Sequence, residues 1–299
     1  MRLSSVVNYR YPNYSKTNTG KKSPQSISFQ GVVTQNKMKK FVPQLGSFLF
    51  NTPEINLKDI EAFLKKFRPN LKVNLVPTNS ILGKAQAKSL MGLDLMLNPY
   101  IIDEEIGLTD VKADNFENKI ELFEQLVHEM THIFQADLDN EEEAVNLVNI
   151  KYAKEKILQN PSSETIEFIK ENSDKLQKIF HELEFAMVNA LQSQGYRGEV
   201  VYKPANDIDM LDVESAYYKA FGKTSRAFMR DFVKEKIKEY KVTDPNFVEK
   251  IIKTQANCEY EAYSISQEAV KDILGIKGTS SNDYMKYIFK IISNIDLEV

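Results

Sequence analysis

Leu126-Val127-His128-Glu129-Met130-Thr131-His132-Ile133-Phe134-Gln135 is the stretch on which the reading of this chain turns. Around it, Ile120, Phe123, Val127, Met130 and Phe134 recur every three or four residues. That period predicts a helix over 117–137, with Asn115 or Asp114 as its cap. His128 and His132, four residues apart, share one face of such a helix, so both imidazoles can turn to one ion. Glu129 lies about 100° round the axis from His128. From there it is poorly placed to ligate and well placed to reach a water on the ion. Zinc lowers the pKa of such a water to about 7, and a carboxylate beside it can then take the proton. The pattern therefore predicts His128 and His132 as metal ligands and Glu129 as general base. The chain has only 3 histidines, and two of them fall in this pentapeptide. Roughly 0.003 such matches are expected by chance at this composition. Apolar flanks on both sides half-bury the pair, where an imidazole needs a partner.

Outward from the motif, Leu57, Ile60, Phe63, Leu64 and Phe67 mark a helix over 57–67 that Pro69-Asn70 stops. Residues 71–76 alternate with period two and read as a strand, as do 93–97, where leucines 93, 95 and 97 share a face. Residues 77–91 show no clear pattern, and 103–116 read as an acidic loop. Beyond the motif, helical patterns cover 141–159, 163–192, 210–221, 224–240, 245–274 and 282–295, with Pro161, Pro204 and Pro245 between helices. The expected fold class is α+β: a small core of helix, short sheet and motif helix, followed by a mostly α-helical remainder.

The motif and the order of elements before it resemble the zincin metallopeptidases. The resemblance covers about residues 56–137 and one later helix. It implies a core in which the motif helix follows a sheet whose edge strand, here 93–97, aligns an extended peptide. It also implies hydrolysis of peptide bonds through a zinc-bound water, with Glu129 as base and later as proton donor. A catalytic zinc with one open position needs a third protein ligand. The subclass with a third histidine six residues after the second is excluded, because Leu138 stands there. The resemblance is therefore to the gluzincins, several of which supply a carboxylate from Glu-x-x-Ala on a later helix. Cys258-Glu259-Tyr260-Glu261-Ala262-Tyr263 matches at Glu259 and Ala262 and departs at Tyr263, where those families often carry Asp or Asn to orient the first histidine. Glu259 is the preferred third ligand. Glu261, which would face away from Glu259, remains an alternative, as do Glu141, Glu143 and Glu214. Tyr196, Tyr202 and His181 are candidates to stabilise an oxyanion opposite the metal, and Cys258 reads as a buried, inert thiol.

Composition narrows the function. The 299 residues are 42% hydrophobic and 27% charged, as in ordinary globular proteins. A single cysteine excludes an intrachain disulfide and a Cys₄ or Cys₂His₂ zinc site. Residues 1–40 hold eight basic residues and no acid, which leaves 31 basic against 42 acidic residues in the rest, a balance of −11. An acidic body disfavours nucleic acid as a partner. No apolar run is long enough for a membrane span, and the basic stretch lacks the apolar segment of a secretory signal. The expected organisation is a disordered basic leader at 1–40, a zincin-like α+β core at 41–140, and a helical part at 141–299 that completes the active site. The expected function is a single-zinc metallopeptidase acting on a peptide or protein, with the cytoplasm as its compartment. The alternative is a helical binding or scaffold protein that keeps the metal site without turnover, against which an intact Glu129 argues.

Overall fold

The computed structural model describes residues 32–75, 85–88, 105–108, 111, 113–135, 163–195, 210–243, 245–276 and 280–297. The strand expected at 93–97, the helix expected at 141–159, and Glu141, Glu143, Tyr196 and Tyr202 lie outside them. The described chain runs α1 (Val32–Asn51), α2 (Leu57–Leu64), β1 (Lys72–Leu75), β2 (Ala85–Lys88), β3 (Glu105–Leu108) and α3 (Phe116–Gln135). It continues with α4 (Ser163–Ser193), α5 (Met210–Phe221), α6 (Ser225–Glu239), α7 (Pro245–Leu274) and α8 (Ser280–Ile292). The described residues are therefore mostly helical with one small sheet, an α+β arrangement. Among the described residues, no helix is long and apolar enough to cross a membrane.

Three local findings depart from the sequence reading. Helix α1 starts at Val32, so the leader expected to reach residue 40 gives way to helix nine residues earlier. The reason is the stripe Met38, Phe41, Val42, Leu45 and Leu49, all buried, which a boundary at 40 cuts after its first member. Strand β2 occupies the stretch with no clear pattern. Strand β3 occupies part of the supposed acidic loop, where Ile106 and Leu108 are fully buried between polar or small neighbours. β3 is the middle strand, parallel to β1 (Val73 opposite Ile106) and antiparallel to β2 (Ala87 opposite Ile106).

Two apolar cores organise the helices. The first joins Phe41 and Leu45 of α1, Ile60 of α2, Ile106 of β3, and Phe123 and Met130 of α3. The second joins Leu183 of α4, Tyr217 of α5, Val233 of α6 and Phe289 of α8. Helix α7 belongs to both: Val248, Ile252 and Ala256 pack into the second core, and Ile265, Ala269 and Val270 into the first. Close approach between α1 and α7 depends on Gly46, where an added Cβ would sit 2.9 Å from Ile273 Cγ2. Helix α2 begins with a capping box in which Asn56 and Asp59 satisfy each other's backbone N–H groups. Arg68, just beyond α2, donates to the Ile133 carbonyl at 3.2 Å, and its guanidinium lies over the Phe134 ring. A cation thus meets a carbonyl in the last described turn of the motif helix, where the helix dipole favours it.

Candidate metal centre

Helix α3 starts where Asn115 accepts from the Asn118 N–H at 2.8 Å, which gives one of the orphan donors of the first turn a partner. It then buries Ile120, Phe123, Leu126, Val127, Met130 and Ile133. The remaining part of its inner surface carries the motif and faces α7, the helix it packs on most extensively. Ala262 of α7 is fully buried at this contact level, and its small side chain suits close helix packing.

The three expected ligands converge. The Nε2 atoms of His128 and His132 lie 3.1 Å apart. Glu259 of α7 straddles them, with Oε2 3.3 Å from His128 Nε2 and Oε1 3.4 Å from His132 Nε2. All the donor atoms lie within 4.8 Å of one another. A tetrahedral zinc with bonds of about 2.0–2.1 Å separates its ligand atoms by about 3.3 Å, so these spacings fit one ion among three donors. Glu129 is buried beside them, and its charge acts on His132.

The electrostatics show how tightly the donors are coupled. Burial opposes charge on His132, but Glu259 outweighs it, helped by Glu129 and Gln135, and the pKa rises to about 9. Burial likewise works against ionised Glu259, yet His132 and His128 hold its carboxyl well below the usual range. His132 and Glu259 stabilise each other's charge, and such a pair beside a second imidazole is a set of donors that could hold a divalent cation.

Residues around the donors hold them unequally. His132 Nδ1 lies 2.9 Å from Gln135 Oε1. Gln135 Nε2 donates to Glu261 at 2.7 Å and to the Cys258 carbonyl at 3.1 Å. His128 Nδ1 is buried and has no hydrogen-bond partner among the described residues. Its ring instead packs against Tyr263, with centroids 4.3 Å apart, and Tyr263 in turn stacks on Phe289. An aromatic contact thus stands where the gluzincin pattern places Asp or Asn.

The other candidates are distributed as follows. Glu261 does not face away as expected: it is buried against α3 and accepts from Gln135, because the two helices pack closely there. Glu214 accepts from the Ser225 hydroxyl and from its N–H at the start of α6, so it caps a helix outside the site. His181 is 72% exposed, with Nδ1 3.5 Å from half-buried Glu184. Burial raises the Glu184 pKa, and Glu259 and His128 both act on it electrostatically. Cys258 is buried, and burial pushes its thiol pKa well up. The sequence reading missed Gln135 and Glu184. Gln135, three residues after His132, was open to discovery as a polar residue on the buried face of the motif helix. Nothing in the sequence marks Glu184. Searches of protein-family models, of curated proteins and of solved structures return no match to this chain.

Proposed function

We propose that this chain is a zinc-dependent metallopeptidase of gluzincin type, with His128, His132 and Glu259 as ligands and Glu129 as general base. One observation carries the reading: three donors from two helices, more than 120 residues apart in the chain, meet at the spacings of a tetrahedral zinc site. A zinc ion held there supplies Lewis-acid activation of water and polarisation of a peptide carbonyl. The chain supplies the rest. Glu129, one residue from a ligand and buried beside His132, takes the proton of the attacking water on its carboxylate and returns it to the departing amine. Ionised Glu259 offsets the charge of the centre and keeps both imidazoles turned inward. Helix α3 also packs against β2, an edge strand of the sheet among the described residues, and an extended peptide can pair with a strand edge of this kind.

Metal analysis and a peptide-library digest test this together. The purified chain binds one equivalent of zinc and cleaves peptides, and Glu129→Gln keeps the zinc while losing at least about 100-fold in turnover. A wild-type chain with no zinc uptake, or cleavage unaffected by Glu129→Gln, refutes the proposal.

A further inference from the structure

We infer that Gln135 is the positioning residue of the metal centre. It sets which nitrogen His132 turns to the ion, and it ties the backbone next to Glu259 to the motif helix. The inference rests on the metal reading above and adds to it a residue that the motif does not contain.

The steps follow from donor and acceptor chemistry. Gln135 Nε2 lies 3.1 Å from the Cys258 carbonyl oxygen and 2.7 Å from Glu261 Oε2. A backbone carbonyl has no proton to give, so the amide group beside it must be the NH₂, and its two hydrogens meet these two acceptors. The amide oxygen is then the atom 2.9 Å from His132 Nδ1. An amide oxygen only accepts, so Nδ1 carries the hydrogen. In the neutral imidazole the lone pair therefore sits on Nε2, the atom that faces His128 Nε2 and Glu259. Flipping the amide would set oxygen against two acceptors and leave Nδ1 facing an NH₂. Gln135 and Glu261 are 4% and 5% exposed, so water cannot readily replace these bonds. The Cys258 carbonyl belongs to the residue before Glu259, so one side chain holds a ligand's tautomer and the backbone beside another ligand. His128 has no such support at its Nδ1 among the described residues; His132 is the anchored member of the pair.

Three variants separate positioning from bulk. Gln135→Leu keeps much of the volume and removes every hydrogen bond. Gln135→Glu keeps an acceptor for His132 but sets a second carboxylate against Glu261. Adding Glu261→Gln to Gln135→Glu returns a donor from the opposite side. Affinity for zinc alone is measured by competition with a chromogenic chelator, and His132 is observed by ¹H–¹⁵N NMR, with circular dichroism as the check on folding. The expected results are a loss of about 10–100-fold in zinc affinity for Gln135→Leu and for Gln135→Glu. The double variant recovers most of the second loss. The wild type shows an exchange-protected Nδ1–H on His132, and Gln135→Leu does not. Zinc affinity within threefold of wild type for Gln135→Leu, a loaded His132 protonated on Nε2, or no recovery in the double variant would overturn the inference. Should Gln135→Leu fail to fold, the comparison of Gln135→Glu with the double variant decides. Should the wild type take up no zinc, the metal reading falls, and the NMR arm on that same protein still decides: a protected Nδ1–H lost in Gln135→Leu upholds the Gln135 contact, and a signal absent or unchanged overturns it.

Discussion

Without metal, the His132–Glu259 pair makes the protein less stable as the pH rises past neutrality. His132 has a folded pKa of about 9 against an ordinary value of 6.5. A group whose pKa is raised on folding contributes fully below its unfolded value and loses that contribution as pH climbs through the folded one. The window is therefore pH 6.5 to about 9. The shift corresponds to about 3 kcal/mol at about 1.36 kcal/mol per unit. The lowered pKa of Glu259 describes the same pair seen from its partner, so it is counted once, and its own loss falls on the acid side. The assay is urea unfolding in the presence of a chelator at about pH 6, 7.5 and 9, for wild type and Glu259→Gln. Wild type should lose about 3 kcal/mol across the series, while Glu259→Gln, whose neutral amide cannot hold an imidazolium, should give a much flatter line. Zinc reverses the sign. The ion takes the neutral imidazole, so binding releases the His132 proton and apparent affinity rises about tenfold per pH unit between 7 and 9. Parallel stability curves for the two proteins, or zinc affinity independent of pH in that window, would refute the coupling drawn from the 3.4 Å contact.

Three further outcomes are expected. Tyr263→Ala removes the ring that packs His128 against Phe289, so zinc affinity should drop about tenfold or more by chelator competition; unchanged affinity would show that the ring does not orient the imidazole. Deleting residues 1–40 takes away the first turns of α1 and buried Met38; the melting temperature should fall by an amount equivalent to about 2 kcal/mol or more, and an unchanged melt would mean that this end of α1 does not pack. Gly46→Val forces side-chain carbons into the space of Ile273, which should cost about 1–3 kcal/mol in denaturant unfolding. A neutral or stabilising effect would show that α1 and α7 can move apart cheaply.

The parts of this molecule legible in the sequence are those where a period is long and unbroken. Helices over 163–193, 210–221 and 245–274 agree with expectation to within a residue or so, because many consecutive turns repeat one apolar face. The sheet was harder to read. β3 holds four residues, of which only Ile106 and Leu108 carry the apolar signal, and acidic neighbours on either side outweigh two side chains in any composition window. Helix α1 was hidden for a different reason. Lysines 37, 39 and 40 made its first half look like the tail before it, although Lys39 and Lys40 are exposed and Met38 next to them is buried. Charge on the outer face of a helix says nothing about its inner face.

The site divides along the same line. Spacing within one helix placed His128, Glu129 and His132, because four residues of helix set two side chains on one face whatever surrounds them. No spacing could place Glu259 beside them, since that depends on how α7 lies on α3. The structure supplies a physical reason for that placement. Helix α7 packs its first half into one core and its second half into the other, so its middle is held from both ends, and Glu259 and Glu261 fall in that middle. A buried acid, Glu261, and a half-buried one, Glu259, set this close together would repel unless each met a positive or donating partner. Glu259 meets two imidazoles and Glu261 meets the Gln135 amide. The two carboxylates are thereby given different surroundings by their neighbours on α3, and it is Gln135, three residues past His132, that separates the proposed ligand from the strut.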